Sequence, residues 1–352
     1  MTNLETYDFL NDALTHLLKL LGTGKDTITS LACDLHPAFH SSRLAKEWAS
    51  ELDLPLVPIQ HHHAHHAAVL ADNRVQLDEP AISITIDGVG YGSDGMLWGG
   101  EILAGAYDIV ERKGHLQPIP MPGGDLAVKY PARMLMSIFS TFLSPEEICA
   151  VPLARPFLKM LPKRETELAV ISRQLNHPKN MPYTTSLGRV LDALAISFGV
   201  CIRRTYDGEP AMRFESFANN APIGNYIPPF EIPVKIHDNI QELTTPALFQ
   251  WLVEQKAFSA RRATRQAFAY ACHVSISRAL AKMALATSAA TGVKKIGLTG
   301  GVTLNHIISS EIKRVVRKEG VEFLEHMRVP PGDAGISFGQ CAVAASLALH
   351  DK

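Results

Sequence analysis

Five imidazoles in six positions, His61-His62-His63-Ala64-His65-His66, constrain this chain more than any other stretch. An apolar run over residues 54–59 leads into them, Gln60 precedes them, and Ala67-Ala68-Val69-Leu70 follows. That order predicts a buried strand ending in a turn, then a helix whose first turns carry the imidazoles. Side chains four apart share a helix face, so His61 with His65, or His62 with His66, is spaced to present two nitrogens to one metal ion. An artificial tag would not be internal, interrupted by Ala64 and continued by an apolar helix.

The flanking pattern is α/β. Residues 7–21 carry a helical apolar stripe closed by Gly22 and Gly24, and residues 28–33 read as a strand. Asp34-Leu35-His36-Pro37 then forms a loop at that strand's carboxyl end, where open α/β sheets place ligands, and Ser41 or Ser42 caps a helix through residue 52. From residue 81 a buried strand runs to Ile86, residues 87–95 form a turn with four glycines, and residues 96–106 return as a second strand. Glycines without Cβ let backbone N–H groups approach an anion, and Asp87 beside them can hold a cation that bridges phosphates.

The motif returns as a strand at 295–299, a glycine turn at 300–305 and a helix at 307–318, an arrangement that receives nucleotides. Between the two glycine turns, residues 161–182 read as a polar connection. Residues 187–200 read as a helix bearing Asp192, Asp207-Gly208-Glu209 as a turn, and residues 248–290 as one or two long helices. Near the end Pro330-Pro331-Gly332-Asp333-Ala334-Gly335 opens an apolar helix, with Asp333 at its N-cap.

Charge does not point to nucleic acid or an anionic membrane, since 34 basic side chains stand against 35 acidic ones. No stretch reaches the roughly 18 apolar residues of a membrane span. The start of the sequence lacks the basic and apolar regions of a secretory signal. Cys33, Cys149, Cys201, Cys272 and Cys341 are scattered without a CxxC pair, which excludes zinc fingers and suits reduced thiols in a cytoplasmic protein. A length of 352 residues allows two domains or one bilobal unit.

With these elements in place the sequence resembles the carbamoyltransferase half of the HypF family of nickel-iron hydrogenase maturation proteins. The motifs that carry the likeness are Ala32-Cys33-Asp34-Leu35-His36-Pro37, residues 60–68, residues 87–101, Pro122-Gly123-Gly124-Asp125, Gly188-Arg189 with Asp192, residues 206–212 and residues 300–305. The resemblance implies a TsaD-like bilobal α/β fold of the actin, hexokinase and chaperone-ATPase kind. Residues 1–79 would form a first lobe, completed by the C-terminal helix at 333–350, and residues 80–352 a second lobe with the phosphate and nucleotide loops. Against the family pattern the first lobe starts without its opening hairpin, and no acylphosphatase, zinc-finger or YrdC-like domain is recognisable in this sequence.

The resemblance also implies roles for residues. His61, His65 and Asp333 would hold a divalent zinc, iron or magnesium ion, with Asp87 close to it. Asp87, Gly88, Gly90, Gly300 and Gly301 would cradle phosphate. Asp192, Gly208, Glu209 and Asn305 would hold the ribose and base of ATP, ADP or carbamoyl-adenylate. The implied reaction is the transfer half only: a carbamoyl group moves from carbamoyl-adenylate to the C-terminal cysteine thiol of HypE, the adenylate being made by a YrdC-like domain supplied in trans. No side chain of this sequence announces itself as a nucleophile. Two other functions fit the same residues, a small-molecule O-carbamoyltransferase and a non-catalytic metal and nucleotide binding scaffold of maturation.

Overall fold

The computed structural model describes residues 4–144, 147–148, 161, 163–177 and 181–350. Helix α1 (Leu4–Leu20), strand β1 (Leu31–Asp34), helix α2 (His40–Leu52), strand β2 (Leu56–Ile59) and helix α3 (His61–Asp72) follow one another. β1 and β2 pair in parallel, Leu31 with Leu56 through Asp34 with Ile59, so both carboxyl ends arrive beside the start of α3. Ser42 does not cap α2. Its hydroxyl donates to the Asp34 carbonyl instead (3.0 Å), tying the helix to the end of β1.

A larger sheet is built from strands β3 (Ala81–Tyr91), β4 (Leu97–Gly105), β5 (Val110–Leu116), β6 (Ile119–Pro120), β7 (Tyr183–Thr184), β8 (Val234–His237), β9 (Ile240–Leu243), β10 (Lys295–Thr299) and β11 (Glu322–Leu324). Its main path runs β11-β10-β3-β4-β5-β9-β8. The central pair β10 and β3 is parallel, and β3 and β4 form an antiparallel hairpin. Ile82, Ile84 and Ile86 of β3 are fully buried, as expected of a strand covered on both faces.

Helices α4 (Asp125–Lys129), α5 (Ala132–Phe139), α6 (Arg164–Asn176), α7 (Leu187–Ser197), α8 (Glu209–Asn219), α9 (Pro246–Glu254), α10 (Arg262–Thr291), α11 (His306–Lys318) and α12 (Ile336–His350) complete the chain. Two local readings of the sequence differ from what is found. Residues expected as a polar connection include α6, whose weak amphipathic signal hid it. β3 continues through Asp87 to Tyr91, so the tight turn is confined to Gly92–Gly95. Of the one or two helices expected over 248–290, two are found, α9 and α10. Cys149 lies outside the described residues; the other cysteines are free thiols.

Helix α3 lies between the two sheets and is the most enclosed element near the sequence's histidines. Ala64, Ala67, Val69 and Leu70 are inaccessible and share a core with Ile59, Ala81, Leu324, Val343 and Ala344. That cluster joins the small sheet, the large sheet and α12. The small alanines of α3 let α12 approach backbone to backbone: a Cβ at Gly339 would stand 1.9 Å from the Ala64 carbonyl oxygen. Among the described residues no helix is long and apolar enough to cross a membrane.

This packing sets a test. Gly339→Val forces α12 off α3 and is expected to lower the free energy of unfolding by about 1–3 kcal/mol, the usual range for overpacking. Urea denaturation at pH 7 reads it, and an unchanged midpoint would mean that the two helices are not locked by this contact.

Candidate metal centre and adjoining cavity

Gln60 starts α3: its side-chain oxygen accepts from the His63 N–H (2.8 Å) and its amide donates to the Tyr91 carbonyl (2.9 Å). The helix begins where the β1–β2 sheet ends, which aims His61 and His65 at one point. Burial then forces each imidazole to find a partner.

Two imidazoles are satisfied by the scaffold. His63 Nε2 donates to the Tyr107 carbonyl (2.7 Å), and His66 bonds Ser83 Oγ through Nδ1 (2.8 Å) and the Gly105 carbonyl through Nε2 (3.2 Å). His66 is therefore a structural residue against the large sheet, and the pair His62 with His66 does not face one ion. Burial lowers the His66 pKa to about 3, so it stays neutral. His62 lies inside, among His61, His65 and Trp98 rings, where burial pushes its pKa well down. Gly90 makes room for it, since a Cβ there would stand 2.4 Å from His62 Cε1.

His61 and His65 are different. Their Nε2 atoms, like that of His62, are buried without a hydrogen-bond partner among the described residues, but these two also face carboxylates. His61 Nε2 is 3.5 Å from Asp87 Oδ2 and 3.7 Å from Asp333 Oδ1, and His65 Nε2 is 3.9 Å from Asp333 Oδ1. One donor atom from each of His61, His65, Asp87 and Asp333 falls within 4.8 Å of the others. Tetrahedral ligands at about 2.1 Å from an ion stand roughly 3.4 Å apart, so a small inward movement forms a closed site. The orphaned nitrogens and the mixed imidazole and carboxylate donors fit a divalent cation.

The two carboxylates reach the point by separate devices. The β3–β4 register shifts between Ile86 and Gly90, and this bulge turns Asp87 out of the ladder toward the imidazoles. The Gly301 N–H holds Asp87 Oδ1 at 3.0 Å. Asp333 sits in a short turn before α12 and caps no helix N–H; its side chain is 79% exposed, which leaves the centre open on that side. Upstream, Asp72 at the end of α3 accepts from the N–H groups of Met327 (2.6 Å), Arg328 (3.1 Å) and Val329 (3.2 Å). The loop leading to Asp333 is thus pinned to the same helix that carries the histidines.

Electrostatics favour a cation. Burial works against a charged His61, but Asp333, Asp34 and Asp87 outweigh it and hold its pKa well above the ordinary value. Burial drives His65 down to about 4. Burial likewise opposes ionisation of Asp87, yet the imidazoles of His61, His65 and His62 outweigh it and keep the carboxyl well below its usual range. Without an ion, His61 carries the compensating positive charge.

Asp87 and Asp333 also line a cavity of about 820 Å³ between the β3 hairpin, α7, α8 and the β10–α11 loop. Gly88, Asp192, Gly208, Gly301 and Asn305 line it too. Asn305 Oδ1 caps α11 by accepting from the Ile308 N–H (3.1 Å), while its buried Nδ2 has no partner among the described residues. Asp192 is buried beside the Arg189 guanidinium (3.0 Å).

Other expected positions serve the scaffold. Gly90 packs on the imidazoles rather than the cavity. The Gly300 N–H donates to the Pro331 carbonyl (2.8 Å) and that of Gly301 to Asp87, so neither amide is free for phosphate. Glu209 does not line the cavity; its carboxylate ties down the Thr205 N–H and hydroxyl (2.6 Å each) and pairs with Arg213. Sequence reasoning gave no role to Arg189, whose buried Nε and Nη1 lack partners among the described residues and which lines the cavity. Its only signal was the spacing to Asp192.

Two outcomes follow for metal binding. In the ion-free protein His61 is protonated while His65 and Asp87 are not, so binding expels a proton from His61. Zinc affinity should fall about tenfold per pH unit below the raised His61 pKa and level off above it, as read by competition titration. His65→Ala should weaken zinc by more than the roughly 10–100-fold typical of groups outside the ligand set. Wild-type affinity in that variant would remove His65 from the site.

Residues 1–72 match the family model "HypF Kae1-like domain", and residues 83–340 match "Carbamoyltransferase, Kae1-like Domain, second subdomain". A probable carbamoyltransferase HypF of Methanocaldococcus jannaschii is 39% identical over 336 residues, 96% of this chain and 41% of that protein. A carbamoyltransferase HypF homolog of Cupriavidus necator is 34% identical over 338 residues, 95% of this chain and 82% of that protein. The crystal structure of T. kodakarensis HypF superposes with a TM-score of 0.87 at 37% identity, over 99% of this chain and 44% of that one. Full-length HypF in its phosphate- and nucleotide-bound form gives 0.84 at 27% identity, over 98% of this chain and 42% of that one. The chain thus spans about two fifths of the length of the M. jannaschii relative and of both solved structures. It belongs to the HypF family, as its Kae1-like carbamoyltransferase domain.

Proposed function

We propose that this domain performs the transfer step of a HypF-type carbamoyltransferase, moving a carbamoyl group from carbamoyl-adenylate to the C-terminal cysteine thiol of HypE. The observation that carries the reading is the continuity of the His61, His65, Asp87 and Asp333 cluster with the cavity, two of whose walls are the same Asp87 and Asp333. A ligand with its phosphate against Asp87 and Gly88 would lay its reactive carbonyl over the open side of the cluster. A relative of the same fold, full-length HypF, has been solved in a phosphate- and nucleotide-bound form.

In this reading the small unit, residues 1–79 with the helix at 333–350, and the remainder of residues 80–352 are the lobes of an actin, hexokinase and chaperone-ATPase-like clamp. His61, His65 and Asp333 hold a divalent ion, zinc, iron or magnesium, with Asp87 beside it. When bound, the ion supplies Lewis acidity and offsets negative charge on the leaving phosphate. Asp192 and Gly208 lie toward the ribose, and Asn305 Nδ2 donates to the nucleotide while Oδ1 caps α11. Closing of the pocket by the incoming acceptor excludes water from the acyl carbon. The HypE thiolate forms a bond to that carbon, the bond to the phosphate oxygen of AMP breaks, and AMP leaves with the electron pair. The adenylate is made by a YrdC-like adenylating module acting with this domain.

The test uses purified protein loaded with zinc, iron or magnesium, preformed carbamoyl-adenylate and HypE, with intact-mass analysis of HypE. A carbamoyl adduct on the C-terminal cysteine, lost with His65→Ala, is expected; an unmodified cysteine with all three metals would sink the reading. For the nucleotide, Asn305→Asp keeps the acceptor that caps α11 and removes the donor. ADP affinity should drop at least about tenfold, the scale of one lost hydrogen bond, with thermal stability retained. Equal calorimetric affinity in the two proteins would take Asn305 out of the nucleotide site.

A further inference from the structure

The Asp34-Leu35-His36-Pro37 motif at the end of β1 is absorbed by none of the roles above. Its aspartate is 8% exposed and both its oxygens are engaged. Oδ1 accepts from the His36 N–H (2.8 Å), closing the turn that leaves β1. Oδ2 stands 2.8 Å from His61 Nδ1. The turn is fixed further by the Leu35 N–H, which donates to the Ile59 carbonyl (2.9 Å), and by Ser42 Oγ on the Asp34 carbonyl (3.0 Å). The carboxylate is therefore held from two sides before it meets the imidazole.

From this contact we infer that Asp34 is a positioning residue that keeps a proton of His61 on Nδ1, so that Nε2 is the nitrogen that gives up its proton and turns a lone pair toward Asp87, Asp333 and an ion. A carboxylate has only acceptor atoms, so Nδ1 must donate to it, and an imidazole that loses one proton keeps one N–H. The proton that an ion displaces is then the one on Nε2, a buried atom with no hydrogen-bond partner among the described residues. His65 has no such carboxylate among the described residues, so the ring orientation that matters most to the centre is set from the small sheet, by a residue 27 positions upstream of His61. The inference rests on the metal-centre reading above and concerns only how the ligand is prepared.

Asp34→Asn separates this role from simple support of the turn. The asparagine keeps Oδ1 to accept from the His36 N–H, which leaves its amide N–H facing His61 Nδ1. That amide can only donate, so the imidazole proton moves to Nε2 and blocks the metal-facing nitrogen. Zinc affinity of the purified chain, measured by competition titration, is expected to fall about 10–100-fold while the metal-free protein still unfolds in a single cooperative transition. Nitrogen-15 spectra of the zinc-loaded wild type should show His61 metallated at Nε2 with the proton on Nδ1. Wild-type zinc affinity in Asp34→Asn, or a His61 metallated at Nδ1 in the wild type, overturns the inference; the spectrum decides it even if the variant fails to fold. Absence of zinc binding by the wild type would instead count against the metal centre itself.

Discussion

Helix α3 is buried between two sheets while carrying five histidines, and the rest of the site follows from that conflict. An imidazole removed from water costs free energy unless its nitrogens are paired. His63 and His66 are paired with the Tyr107 and Gly105 carbonyls and Ser83, which welds the helix to the large sheet. His61 is paired on one nitrogen only, and His65 Nε2 on none. His62 Nε2 is unmatched as well, among aromatic rings, but the Nε2 atoms of His61 and His65 point the same way, toward Asp87 and Asp333. Burial thus sorts one run of identical side chains into scaffold and ligands.

The same helix organises the carboxylates. Its C-terminal Asp72 collects three N–H groups of the loop before Asp333, and its alanines admit α12 at backbone contact. Asp34 reaches it from β1, and Asp87 from the bulged strand β3. Three elements from distant parts of the sequence meet at one helix end, each by a hydrogen bond or a packing contact that can be removed singly. The result is an excess of negative charge around two imidazoles, which holds a proton on His61. Asp333 alone is largely exposed, so the centre is closed by protein on its buried side and open toward the cavity.

Much of the site was legible in the sequence. The i to i+4 spacing placed His61 and His65 on one face and the glycines around Asp87 and Gly301 marked the two loops that meet there, while Asp333 read as a helix cap and drew its place at the centre only from the resemblance. Less legible was what each glycine does. Gly90 and Gly300 read as phosphate contacts, yet the first is a slot for His62 and the second spends its N–H on Pro331. Glu209 read as a ligand residue and instead anchors its own turn through Thr205. Arg189 and Asp34 stood in marked motifs but without roles, because Asp34's partner His61 lies 27 positions along the chain and two of the Arg189 nitrogens have no partner among the described residues.

The sequence by itself determined the α/β class, the position of the histidine helix and the choice between its faces down to two pairs, because periodicity and turn chemistry act within a few residues. Only the tertiary structure decided which pair faces carboxylates. That choice depends on which carboxylates and carbonyls surround each ring, and Asp34, Asp87, Asp333, Ser83 and Tyr107 are brought there by sheet pairing and helix packing. Local rules set where an imbalance of buried polar atoms can arise, and long-range contacts set which of those atoms remain unmatched and free to bind.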